Sequence, residues 1–166
     1  MLVVAALGVF LGAAPRFHPP LLVWNASASA PIGLYAVERP TDLHLADLVI
    51  VRPPPQLESF LADRDYLPRG VPLVKHVSAL FGQSVCRTGF VITIDAVAVA
   101  NARETDSRSR SLPSWQGCRI VREHEVFLLN SQSADSLDGR YFGVLPLSSI
   151  VGRALPLWIP KPQRES

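Results

Sequence analysis

The chain of 166 residues has room for one ordinary domain and a short appendage. With 48% hydrophobic and 18% charged residues, a packed core is within reach and general disorder is excluded. The net charge of +2, with no basic run interleaved with aromatics, gives no footing for a nucleic-acid partner.

Residues 2–14 are an uninterrupted apolar and small stretch, followed by Pro15-Arg16 and a second short apolar run at 21–24. Thirteen helical residues reach about 20 Å, short of a hydrocarbon core of about 30 Å. A cleaved signal sequence would have a basic n-region, which is absent here. Arg16 and His18 follow the run, so orientation is weakly marked. Residues 1–24 are read as a membrane anchor or signal-like segment, with a short apolar helix through which the chain meets lipid. A buried element of a soluble core is the alternative.

Residues 25–31 form a small, polar, Pro-terminated loop, and residues 33–37 read as a strand. A second strand at 47–52 is closed by Pro53, Pro54 and Pro55. Leu57, Phe60 and Leu61 share one face of a short helix over 56–63. Residues 71–80 are strand-like and carry Lys75, and residues 89–99 read as a hairpin turning at Asp95-Ala96. The charged, Ser-rich stretch 101–114 reads as a mobile loop. Residues 125–129 and 150–158 supply further strands, and the 15 prolines favour strands and loops over long helices. The expected fold is mainly β, a sandwich or partly open barrel.

Cys86 and Cys118 cannot make a four-ligand zinc site, and His18, His44, His76 and His124 stand at no ligand spacing. No metal or organic cofactor is expected. The two cysteines read either as buried thiols or, in an oxidising compartment, as a disulfide. Ser29 precedes Pro31 at a point where the backbone must turn, and a serine needs a base to become a nucleophile. No histidine has a distinctive setting. Lys75 lies in Leu73-Val74-Lys75-His76-Val77, where burial would disfavour the ammonium and supply a neutral amine. By residue type alone it is a surface lysine on a strand.

Three groups of residues change that reading. Asn25, Ser27, Ser29, Pro31, Gly33 and Tyr35 come first; Lys75, His76, Val77 and Gly82 follow; Ser136, Asp138, Arg140, Tyr141 and Gly143 come last. In this order they resemble the signal peptidase I family of Ser–Lys serine proteases. The wording Ser29-x-Pro31-x-Gly33-Leu34-Tyr35, with Cys86-Arg87, Trp115-x-Gly117-Cys118-Arg119, Phe127-Leu128-Leu129 and Asp138-Gly139-Arg140-Tyr141-Phe142-Gly143, is closer to its TraF branch, which processes pilin precursors for conjugative transfer.

The resemblance implies a signal-peptidase-like β fold over residues 25–160, with about 84–120 a non-catalytic hairpin and loop insertion and 161–166 a tail. It implies Ser29 as nucleophile and Lys75 as general base. Ser27, with the Ser29 N–H, would form the oxyanion hole. Ser136 and Asp138 would orient the lysine, while Arg140 and Gly143 would be structural. The implied partner is a precursor polypeptide with small residues before the cut, such as a prepilin. The implied place is a bacterial inner membrane with the catalytic domain in the periplasm, where a Cys86–Cys118 disulfide becomes reasonable. Asn25-Ala26-Ser27 also spells a glycosylation sequon, read here as coincidence. No methionine follows Ser29, and Asn130-Ser131-Gln132 stands where the broader family has Gly-Asp-Asn. Phe81 and Gln83 depart from the family phrase after the lysine. The rival readings are a general leader peptidase, a self-cleaving Ser–Lys repressor and a non-catalytic exported β-domain. The repressor would carry a helical DNA-binding domain where this sequence has an apolar segment.

Overall fold

A computed structural model describes residues 22–39 and 42–160 of the chain. The expected N-terminal apolar helix and the tail at 161–166 lie outside the described residues. The sheet already begins within the stretch assigned to the N-terminal segment. Strand β1 (Leu22–Asn25) pairs with β2 (Gly33–Glu38), and the loop between them carries Ser27 and Ser29.

The main sheet has seven antiparallel strands. Further members are β3 (Leu48–Val51), β4 (Leu73–Ala79), β9 (Glu125–Leu129), the two-residue β10 (Leu145–Pro146) and β11 (Ile150–Trp158). Their order is β1-β2-β11-β3-β4-β9-β10. In β2, Tyr35 and Val37 are buried at period two, whereas Val49, Ile50 and Val51 of β3 are all fully buried. An alternating strand has one covered face; a continuous apolar run has two. The three prolines end β3, and helix α1 (Pro55–Asp63) starts on Pro55, where a missing N–H costs nothing. Leu57 and Leu61, four apart, are its buried residues.

The second sheet contains β5 (Ser84–Thr88), β6 (Val91–Ile94), β7 (Val97–Asn101) and β8 (Gly117–Ile120), in the order β7-β6-β5-β8. Its strands lie within residues 84–120. The chain leaves and returns at one point, closed by Gly82 N–H to Val121 O and Val121 N–H to Gln83 O, both 2.9 Å. The β6–β7 turn falls at Asp95 and Ala96, both at positive φ, the twist that two-residue hairpins require. Asp95 repays its unfavourable backbone by accepting from Ser84 N–H at 2.8 Å and Gln83 Nε2 at 2.9 Å. Cys86 and Cys118 face each other across β5 and β8 and are joined in a disulfide. Val85 and Ile92, on the inner face, share a core cluster with Phe127 and Leu129 of the main sheet.

The stretch 101–114 is ordered, contrary to the mobile loop expected from its composition. Asp106 accepts from the N–H groups of Arg108 and Arg110, from Arg110 Nε at 2.7 Å and from the Tyr66 hydroxyl at 2.6 Å. Arg64 Nη1 adds a bond to Ser111 O. Charges that look solvated in the sequence satisfy each other and dock on the segment after α1.

On the outer side of β1, β2 and β11, the register sets Leu22, Ala36 and Leu155 in one row and Trp24, Leu34 and Trp158 in the next. The two indoles stack at 5.7 Å and remain 53% and 56% exposed. Among the described residues, no helix is long and apolar enough to cross a membrane.

Candidate active site

The loop carrying Ser29 is shaped by Asn25, the last residue of β1. Its buried amide donates to Ser27 O at 2.9 Å, Ala30 O at 3.1 Å and Pro31 O at 3.0 Å, while Oδ1 accepts the Ser27 N–H. One side chain thus supplies the hydrogen bonds that a short loop cannot make within itself. The Tyr35 hydroxyl also donates to Pro31 O, at 2.5 Å. Asn25 owes its place here to this turn, a role the sequon reading did not contain.

Ser29 Oγ lies 3.0 Å from Ser27 Oγ, and the Ser29 N–H donates to Ser27 Oγ at 3.3 Å. The two groups expected to bind an oxyanion therefore engage each other. A bond of 3.3 Å is at the long end for N–H···O and is readily exchanged for a better acceptor.

Lys75 is buried in the middle of β4, and its Nζ donates to Ser136 Oγ at 2.8 Å. Burial pushes the amine down from 10.5 to about 8; Asp138 opposes this by favouring the ammonium, and Arg140 adds to the lowering. Ser136 therefore meets Lys75 directly, and Asp138 acts on it only through its charge. The oxygens of Asp138 are spent elsewhere. Oδ1 accepts from the N–H and Nε of Arg140, and Oδ2 from Arg140 Nη2 and the Asn130 N–H. Asp138 is also the N-cap of the single-turn helix α2 (Gly139–Phe142). Arg140, fully buried, donates further to Ser133 O at 2.7 Å and Asn130 O at 3.3 Å. Gly143, at φ 68°, ends the turn.

Asn130 ties this assembly to β4. Its Nδ2 donates to Val74 O at 3.0 Å, and its Oδ1 accepts the His76 N–H and lies 3.0 Å from His76 Nδ1. It brackets Lys75 on both sides. The sequence signalled this position only as a departure from the family wording.

Ser29 and Lys75 are not joined by a hydrogen bond in this structure, each being satisfied by another serine. Their neighbours do come together. Ala30 and Val74 belong to one core cluster. Ser29 shares a cavity of about 1170 Å³ with His76, Leu129 and Asn130, and Ile94 and Val99 of the small sheet reach the same cavity. From β2 to β4 is three strand spacings, about 14 Å in a flat sheet, so the sheet must curl to bring both ends to one cavity. No group of His, Cys, Asp and Glu among the described residues could hold a metal ion.

The family model described as signal peptidase, peptidase S26, matches residues 1–158. A conjugal transfer protein TraF of Agrobacterium fabrum is 36% identical over 145 residues, 81% of this chain and 80% of that one. A probable conjugal transfer protein TraF of Sinorhizobium fredii is 33% identical over 142 residues, 78% of this chain and 73% of that one. A signal peptidase I structure from Enterococcus faecalis aligns at TM-score 0.40 and 17% identity, over 68% of this chain and 97% of that one. On the family match and the TraF relatives, the chain belongs to the signal peptidase family S26, serine endopeptidases, and is of its TraF type.

Proposed function

We propose that the protein is a membrane-held endopeptidase that cuts exported precursor polypeptides through a Ser29–Lys75 dyad, and that a conjugative pilin precursor is its substrate. The observation that carries this reading is Lys75: a buried amine, lowered to about 8 and held by one hydroxyl, next in the chain to His76, which lines the same cavity as Ser29. On substrate binding, the Ser29 hydroxyl leaves Ser27 and turns to Lys75. Ser29 Oγ attacks the scissile carbonyl carbon as Nζ takes its proton. The oxyanion is received by the freed Ser29 N–H and the Ser27 hydroxyl, donors typically worth about 3–4 kcal/mol each. Collapse breaks the C–N bond, the lysine ammonium protonates the departing amine, and water releases the acyl group by the same steps reversed. Ser136 keeps the amine in place throughout.

The apolar rows on β1, β2 and β11 support a seat on lipid, because exposed tryptophans favour the membrane–water boundary. The Ser29 loop is the turn of that same β1–β2 hairpin, which would set the cut close to the bilayer. The inner membrane, with the catalytic domain in the periplasm, follows as the proposed location. The expected substrate has small residues one and three positions before the cut. The test is processing of a co-expressed pilin precursor, and of an ordinary exported precursor, by wild type, Ser29→Ala and Lys75→Ala. Cleavage undiminished in either variant would sink the dyad. Cleavage of the ordinary precursor alone would replace the pilin reading with a general leader peptidase.

A further inference from the structure

The small sheet, through β5, and the connection between β7 and β8 make three hydrogen bonds to the turn that follows Ser136. Arg87 Nη1, from β5, donates to Arg140 O at 2.7 Å, and Trp115 Nε1 donates to Gly139 O at 3.0 Å. The Arg103 N–H donates to the Tyr141 hydroxyl at 3.1 Å. Four residues of helix cannot hold themselves in water. The last carbonyls of a helix also need partners from outside it. Arg87 is such a partner for Arg140 O, and Trp115 adds a second donor to Gly139 O, which also accepts the Gly143 N–H at 3.0 Å.

Arg87 is an expensive choice for a merely structural contact. It is buried, it makes no ion pair among those in the described residues, and its other hydrogen bond goes to Gly89 O. A buried cation on backbone carbonyls usually stabilises less than an apolar side chain of the same size. What it does accomplish is to fix one carbonyl. That carbonyl belongs to Arg140, whose guanidinium holds Asp138, which caps α2 two residues after Ser136. The disulfide pairs the neighbour of Arg87 with Cys118, three residues beyond Trp115, so both donors are set in one frame.

We propose that Arg87 and Trp115 are positioning residues for Lys75: the disulfide-closed sheet and the loop entering β8 grip α2 through them and thereby hold the Ser136 hydroxyl on the lysine amine. The inserted sheet is then part of the catalytic apparatus, beyond the wall it lends to the cavity. This rests on the dyad proposed above.

The experiment uses the full chain in detergent micelles and a peptide with alanine at the first and third positions before the cut. Ser29→Ala and Lys75→Ala come first; if either still cleaves, the dyad reading fails, and the positioning claim is then judged by resonance alone. Trp115→Phe removes the N–H together with the rest of the pyrrole ring, keeping a six-membered ring for the edge contact with Phe127. Arg87→Gln removes the guanidinium. Each is expected to lower kcat between about 10- and 100-fold, the cost of a misplaced reacting group, with KM within about twofold. Water admitted beside a loosened amine relieves its burial, with Asp138 and Arg140 still acting on it in opposite senses. The midpoint of the kcat/KM profile should therefore move to higher pH, and the Lys75 13Cε resonance should titrate later. Because both donors act through one turn, the double variant should lose less than the product of the single losses.

Unchanged kcat and midpoint in Trp115→Phe overturn the proposal, as does a raised KM at unchanged kcat, which would make the sheet a substrate wall only. Losses that multiply in the double variant also overturn it. If Arg87→Gln does not fold, Trp115→Phe decides alone. If the peptide is not cleaved by any form, an unmoved 13Cε titration in Trp115→Phe is the refuting result and a later one the supporting result.

Discussion

Lys75→Met isolates what burying the amine costs the fold. In the unfolded chain the amine titrates at its ordinary 10.5, and in the folded protein at about 8. Between those values the unfolded state holds a proton that the folded state has released, so stability rises with pH across that window. The difference corresponds to about 3 kcal/mol at about 1.4 kcal/mol per pH unit. Below pH 8 the folded wild type carries the full penalty of a buried ammonium, and above 10.5 it carries none. Methionine fills nearly the same volume without a charge and leaves only the Ser136 hydroxyl without its partner. Urea unfolding of both proteins from pH 6.5 to 10.5 should show the wild type gaining about 3 kcal/mol on the variant, all of it above about pH 7.5. A difference that stays flat with pH would mean that Lys75 is solvated in the folded protein, and the case for it as a base would fall.

With the amine at about 8, the fraction available as base is about one-tenth at pH 7, so kcat/KM should rise about tenfold by pH 9 and level off. A hundredfold rise with no plateau would indicate an ordinary lysine. Asn25→Ala strips the donor from the carbonyls of Ser27, Ala30 and Pro31 and should cost about 2–3 kcal/mol in urea unfolding. It should also lower kcat at least about tenfold, because Ser29 sits on that loop; Asn25→Asp, which lacks the amide, should not restore it. Gly139→Ala would put a Cβ 2.5 Å from Phe127 Cε2 and 2.8 Å from Leu128 O. The backbone contact cannot yield, and thermal unfolding should report a loss of about 1–3 kcal/mol.

Much of the β framework was legible because its signals are local. Proline runs end β3, the pattern around Leu57 and Leu61 marks α1, and Asp95-Ala96 falls where the hairpin turns. The burial of Lys75 was also written in its apolar neighbours. The parts that escaped depend on distant partners. Asp106 reads as one charge among many until Tyr66, 40 positions earlier, is found against it. Asn130 looks like a lapse from a family phrase, yet it bonds Val74 and His76, more than 50 positions away. Asp138 was read as aimed at Lys75, but a carboxylate two residues from an arginine on the same turn is taken by that arginine. That Ser29 bonds Ser27 and Lys75 bonds Ser136, and not each other, has no sequence signal, since alternative hydroxyl partners differ by little energy.

Strand β11 lies between β2 and β3, which have no pairing of their own. Arg153 is paired with Glu38 across 115 positions of chain. A contact of that span forms late, because the intervening loop must be closed before anything is gained. A growing or threading chain therefore releases the hairpin with Ser29 and the strand with Lys75 as two unconnected pieces. They share a sheet only when residues 150–158 arrive to be inserted between them. If Ser29 and Lys75 act as the proposed dyad, such an order of assembly keeps the peptidase inert until β11 is in place, the strand acting as the pin that closes the mechanism.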